Sequence, residues 1–258
     1  MASLSLLDRV RLDKAATDAG FDVRLGPEAD WLSYASTSCP LKSWLTVWDG
    51  MPAAALSMAN VLGELGVPAA PVPAPPGAAG AIGVGDFDQL QSMLARAYAL
   101  ANALPQQLLH VWEAQVQALP ATEREAAIKQ RVGQDLFRKG LLALWQGRCA
   151  LTGLAVPELL RASHAKPWKV ASDAERLDVF NGLLLAAHLD AAFDQGLISF
   201  GIDGKLLTSA RLGPAERGLL GLDRDWPALR LRPAHEPYLS YHREHVFVRS
   251  NGGATVLG

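Results

Sequence analysis

The segment RASHAKPW, Arg161 to Trp168, ends a short apolar run on His164, just ahead of Lys166 and Pro167. Pro167 prevents simple continuation of a strand or helix, so an imidazole is delivered at the end of an element. Downstream, NGLLLAAHLDAAFDQG supplies Asn181, an apolar Leu183–Leu185 and a short predicted helix in which Asp190 and Asp194 stand four residues apart. Both carboxylates then share one helix face, and two like charges one turn apart repel unless something positive lies beside them. A divalent cation would serve: oxygen ligands favour magnesium or manganese, and a nearby imidazole also admits zinc or nickel. A metal held beside a histidine suits phosphodiester hydrolysis, with the ring deprotonating water and the metal stabilising charge on the phosphate and leaving oxygen. This chemistry requires that His164 and the two aspartates meet in space.

The elements that must position these groups give an α+β chain. Near the start, GFDVRLG, DWLSYAS and SWLTVWDG read as strands, rich in aromatic and β-branched residues and bounded by breakers. AAALSMANVLGELG follows at helical spacing and stops at Gly66, so residues 1–67 form a small α+β domain. The stretch from Pro68 to Gly83 is so rich in proline and glycine that it is expected to hold no regular structure, making residues 68–85 a linker. Capping-box spacing at Asp86–Gln89 and Thr122–Glu125 predicts two helix starts, giving a helical connector over 86–120 and a domain over 121–258. In the second helix Phe137, Leu141, Leu144 and Trp145 form one apolar face, and Gly147 ends it. LISFGIDGKLLT alternates around Asp203–Gly204, a hairpin signal, and Gly196 is placed to stop the helix that carries the aspartates.

The order His164, Asn181, Asp190 resembles the signature of the HNH endonucleases. The longer text CALTGL, PELLRASHAKPW and ERLDVFNGLLLAAHLDAAFDQGLISF is similar to one HNH subfamily over roughly residues 130–212. The resemblance implies a ββα-metal finger, in which the first strand presents the histidine and the helix presents metal ligands. By that likeness His164 is the general base, Asn181 orients it or braces the loop between the strands, and Asp190 and Asp194 bind the metal. His188 is implied as a further ligand or a phosphate contact, although on a helix it points away from Asp190. Ser163 stands where many members carry an aspartate or histidine ligand, and binds weakly or through water. The paired structural cysteines of many members are absent, with Ala186 and Ala187 where one pair would fall. The preceding helix also resembles the one leading into the motif in related nucleases, which assigns Gln134, Arg138 and Lys139 to DNA phosphates, joined by Arg161, Lys166, Lys169 and Arg243.

Composition agrees with a DNA partner for the second half. The net charge is −2, yet residues 1–120 hold 6 Lys and Arg against 11 Asp and Glu, while residues 121–170 hold 9 against 4. Cys39 and Cys149 are too far apart and too few for a disulfide framework or a zinc ribbon, and read as buried free thiols. No window has the ~18 uninterrupted apolar residues of a membrane span, and no signal peptide opens the chain, so a cytoplasmic protein is expected. His235, His242 and His245 form a second cluster, read either as a metal site or as part of a tail packing on the finger through Tyr238, Tyr241 and Phe247. Trp31, Tyr34, Trp44 and Trp48 read either as core or as a cradle for a flipped or modified base. The expected function is metal-dependent hydrolysis of DNA, in restriction of foreign or modified DNA. The alternative is a DNA-binding module whose degenerate finger no longer cleaves. A homodimer, or a protein partner held through the N-terminal domain, completes the expectations.

Overall fold

The computed structural model describes residues 4–66, 72–117 and 124–249. It is mixed helix and strand, as expected, and divides into two compact units, Met1–Asn102 and Ala103–Gly258.

The first unit opens with α1 (Leu6–Asp18), capped by the Ser5 side chain, which accepts from the Asp8 amide. Strands β1 (Val23–Glu28), β2 (Trp31–Ala35), β3 (Ser43–Trp48) and β4 (Met51–Leu56) follow, then helix α2 (Ala59–Leu65), strand β5 (Gly80–Gly83) and helix α3 (Phe87–Ala103). The five strands form one antiparallel meander in chain order. Two expectations are corrected here. The run Ala53–Leu56, read as the start of a helix, is strand: Asp49 and Gly50 both have positive φ, 50° and 77°, and make the tight turn that pairs Trp48 with Met51. The stretch read as a structureless linker contributes β5, whose Ile82 pairs with Ala54. Its prolines stop at Pro76, so the amides of residues 80–83 are free to complete the sheet. Residues 68–71 of that stretch lie outside the described ones.

Helix α3 begins where the capping pattern placed it: Asp86 Oδ1 accepts from the Gln89 amide at 2.7 Å. It is built into the first unit rather than a free connector, with Leu90, Leu94, Ala97 and Ala101 buried and Tyr98 edge-on to Phe21. Trp31, Tyr34 and Trp44 are buried, which settles them as core and not as an open base cradle. Cys39 and Cys149 are both buried and free.

The second unit contains α4 (Pro105–Gln117), α5 (Arg124–Leu144), β6 (Leu160–His164), α6 (Asp173–Leu177), β7 (Gly182–Ala186), α7 (Ala187–Asp194), β8 (Ile198–Phe200), β9 (Leu206–Thr208), α8 (Pro214–Leu219) and α9 (Glu236–His245). The predicted cap residue Thr122 lies outside the described residues. β6 and β7 pair antiparallel, from Leu160 opposite Ala186 to His164 opposite Gly182. α7 leaves directly from β7, giving a strand–strand–helix finger. Leu183, Leu184 and Leu185 are fully buried between Phe137 and Leu141 of α5 and Leu189 and Phe193 of α7, in one apolar cluster. This packing holds the finger together without a zinc ribbon.

Candidate active site

Position along β6 decides what each side chain meets, because successive residues of a strand face opposite ways. Ser163 faces α7, where its Oγ donates to Asp190 Oδ1 at 2.5 Å. His164 leaves the other face. Its ring stacks on Phe137 of α5 with centroids 3.7 Å apart and planes 14° apart, and stands edge-on to Trp168 at 5.6 Å. The expectation that the imidazole projects towards the helix carboxylates is therefore corrected: Ser163 does so, while the ring lies across the strand from them.

The ring is nonetheless held in a defined state. His164 Nε2 lies 2.9 Å from the carbonyl oxygen of Arg176, which only accepts, so a neutral ring carries its proton on Nε2 and its lone pair on Nδ1. Burial, opposed by the Arg176 carbonyl and reinforced by the Arg176 charge, pushes its pKa down to about 4. At neutral pH the ring is uncharged, with Nδ1 as its acceptor.

Asn181, fully buried in the turn before β7, ties the connection between the two strands together. Its Oδ1 accepts from the Lys166 amide at 2.8 Å, and its Nδ2 donates to the Glu175 and Lys166 carbonyls at 2.8 and 3.3 Å. One end of that span lies two residues after His164 and the other adjoins Arg176, whose carbonyl holds the ring. The side chain thus braces the loop, and does not touch the ring through any of these bonds.

On the α7 side, partial burial and then the Asp190 charge push the Asp194 carboxyl up to about 6, although the residue still has solvent on its outer edge. Among the described residues no group of three or more His, Cys, Asp or Glu is gathered tightly enough to hold a metal ion. The available donors are two mutually repelling carboxylates and one hydroxyl. That chemistry fits a hard divalent cation, which is commonly held by one or two carboxylates with water and phosphate oxygens completing its shell. His188 does not join them: it is exposed and lines a groove on another side of α7.

The residues expected to meet DNA divide into two sets. Gln134, Lys139 and Lys169 are exposed, and Arg161, also exposed, directs Nη1 to the Glu158 and Leu160 carbonyls at 2.9 Å. Arg138 is not available, since Nη1 and Nη2 each donate at 2.7 Å to the carbonyls of Leu160 and Pro157, fastening α5 to the start of β6. Arg243 is likewise held by the Phe200 carbonyl and Glu236, and Lys166 pairs with Glu175 at 2.6 Å beneath the Tyr241 ring. These three assignments are corrected to structural roles, because a carbonyl or carboxylate partner already satisfies each cation.

The C-terminal histidines do not form a metal site. His242 stacks on Phe193 at 3.8 Å and bonds to Ser199 Oγ and the Phe193 carbonyl, His235 is buried, and His245 is exposed. The tail packs on the finger, with Tyr238 Oη donating to Asp178 at 2.8 Å. Sequence reasoning missed Phe137 as the partner of the histidine ring, having seen it only as part of an apolar face. It missed the Arg176 carbonyl altogether, because a backbone acceptor carries no residue-type signal.

β6, β7 and α7 thus form a ββα finger with an imidazole held at the end of its first strand, a loop-bracing asparagine and an acidic helix. Residues 149–201 match the family model described as HNH endonuclease, and it is this segment of the chain that is similar to that family. No curated protein matches the chain. The matched segment runs from Cys149, before β6, to the end of β8, so it contains all of His164, Asn181, Asp190 and Asp194. An HNH domain indicates nuclease activity on DNA, and members of the family generally use divalent metal ions. Among the described residues no helix is long and apolar enough to cross a membrane.

Proposed function

We propose that the Ala103–Gly258 unit is a metal-dependent endonuclease hydrolysing DNA phosphodiester bonds. The observation that carries this reading is the tautomer of His164: with Nε2–H on the Arg176 carbonyl, Nδ1 is the one ring atom able to take a proton. A scissile phosphate lying across the end of β6 would reach both the ring and the oxygen donors of Ser163, Asp190 and Asp194. Nδ1 accepts a proton from the attacking water, whose oxygen displaces one ester oxygen from phosphorus, and solvent protonates that leaving oxygen. Asn181 keeps the loop that holds the ring in place. A magnesium or manganese ion bound by Asp190 and Asp194, with Ser163 assisting, would supply charge stabilisation for the phosphate and leaving oxygen. With both imidazoles directed elsewhere, the donors are all oxygen, which favours these hard ions over zinc or nickel.

A second reading, a DNA-binding module that no longer cleaves, is favoured by the small number of metal donors and by the stacked position of His164. Plasmid nicking separates the two. The wild-type chain with magnesium, manganese or nickel is expected to nick, and His164→Ala to lose the activity by at least a hundredfold, the order of a positioned general base. Equal nicking by both proteins removes His164 from the chemistry. DNA binding without nicking under every metal supports the module. Restriction of foreign or modified DNA, a cytoplasmic setting, and a homodimer or protein partner formed through the N-terminal unit belong to the same proposal and rest on the sequence reading.

A further inference from the structure

On the side of α7 occupied by His188, an open groove of about 550 Å³ is walled by Thr152, Gly153 and Leu154, by Ala186 and His188, and by residues 218–221 with Arg224 and Trp226. Its polar lining side chains are Thr152, His188 and Arg224, with no carboxylate among the lining residues. Arg224 is held ready: its guanidinium carbon lies 3.9 Å above the Trp226 ring, and Trp226 Nε1 donates to the Gly221 carbonyl at 2.9 Å. The stack leaves the guanidinium edge, with its hydrogen-bond donors, exposed. A planar cation, an imidazole and a hydroxyl around one concavity select an oxyanion.

We propose that this groove is a second phosphate-binding site, gripping a backbone phosphodiester of the nucleic acid that flanks the bond to be cut. It rests on the nucleic-acid reading above. The groove and the acidic pair stand on different sides of one helix about 10 Å across, so a strand draped over α7 meets both. The placement also accounts for His188, which points away from the aspartates yet sits exposed at the start of α7. Asp223 opposes the grip, with Oδ2 3.7 Å from where a Cβ on Gly218 would stand.

Binding of a short fluorescein-labelled DNA duplex to the full chain, followed by anisotropy in EDTA across a salt series, tests the site without cleavage. Arg224→Ala is expected to weaken binding about fivefold near physiological salt and to flatten the plot of log K against log salt by about 0.9, the signature of one lost phosphate contact. His188→Ala moves in the same direction, Asp223→Asn tightens binding, and Lys205→Ala, on the β8–β9 turn, changes nothing. Arg224→Lys keeps the salt slope, because the charge remains. An Arg224→Ala protein that melts like wild type and reproduces its affinity and slope overturns the site while leaving the nuclease reading intact. A wild-type chain that binds no duplex overturns both. Binding that responds to Arg224 in a chain that never nicks retains the groove and removes only the cleavage reading.

Discussion

Every polar atom of the Asn181 side chain is engaged by the backbone of the β6–β7 connection, as acceptor from Lys166 and as donor to Lys166 and Glu175. The two obvious replacements therefore fail for different reasons. Asn181→Ala removes all three bonds and leaves buried backbone groups unpaired, at a cost of about 1–3 kcal/mol for such a group. Asn181→Asp keeps the acceptor for the Lys166 amide but turns a second oxygen onto two carbonyls and buries a charge. It is expected to be at least as damaging as Ala. Urea denaturation of the two variants checks the order, and a wild-type midpoint for either would show that the loop holds its shape without this side chain. The same bonds explain what was legible at the residue level. His164, Asn181 and Asp190 could be picked out because their types and order are distinctive. Arg138 was misassigned because a guanidinium on a polar helix face looks the same in sequence whether it meets solvent or two carbonyls, and only the fold brings Pro157 and Leu160 beneath it.

The contact between α5 and the finger depends on the absence of one side chain. Gly182 lies opposite His164 in the β6–β7 register, and a Cβ there would stand 2.4 Å from Phe137 Cζ and 2.6 Å from the Ser163 carbonyl oxygen. Gly182→Ala must push α5 or β6 aside, disturbing the Phe137 ring on which His164 is stacked. A destabilisation of about 1–3 kcal/mol is expected. Phe137→Leu in the same chain should recover part of it, since the closest clash is with the ring while the clash with the carbonyl remains. Thermal melts of the single and double variants decide this, and additive losses would show that the two residues do not meet. Elements with strong local signals were readable for the same reason that they form: β2, β3, α3 and the β8–β9 hairpin carry alternation, a capping pair or a turn dipeptide. β4 and β5 were not, because their residues are small and weakly patterned. What makes them strands is the Asp49–Gly50 turn for β4 and a vacant sheet edge beside β4 for β5. The first signal was present in the sequence but overlooked in favour of helical spacing, and the second exists only once the sheet is formed.

All six histidines of the chain fall in Ala103–Gly258, and this asymmetry gives the two units different responses to acid. Burial first, then a neighbouring arginine charge, opposed by a backbone bond, holds His164, His235 and His242 down to about 4 from an ordinary 6.5. The two C-terminal rings are only 2% and 1% exposed, so little water reaches them to relieve a charge. Between pH 6.5 and 4 the unfolded chain binds protons that these folded rings refuse, so the stabilisation is complete above 6.5 and is lost as pH falls towards 4. Each fully buried ring accounts for a loss on the order of 3 kcal/mol across that window. Asp194 acts in the opposite sense: its carboxyl, raised to about 6, takes up a proton in the folded state and stabilises it as pH falls below 6. One partly solvated carboxyl, screened by water, does not offset two sealed imidazoles. In Met1–Asn102 the shifted groups move away from this window, Asp22 downwards and Tyr34 and Cys39 upwards. Calorimetry of the full chain at pH 7 and pH 4.5 is therefore expected to show a marked fall in the stability of the finger unit. His235 Nδ1 accepts from the Arg232 amide at 3.0 Å and lies 3.3 Å from the Arg232 carbonyl, so charging the ring exchanges one backbone partner for the other while the cost of burying the charge remains. His235→Gln should lower stability at pH 7 yet flatten its decline towards pH 4.5, whereas an unchanged slope in both His235→Gln and His242→Gln would place the acid sensitivity elsewhere.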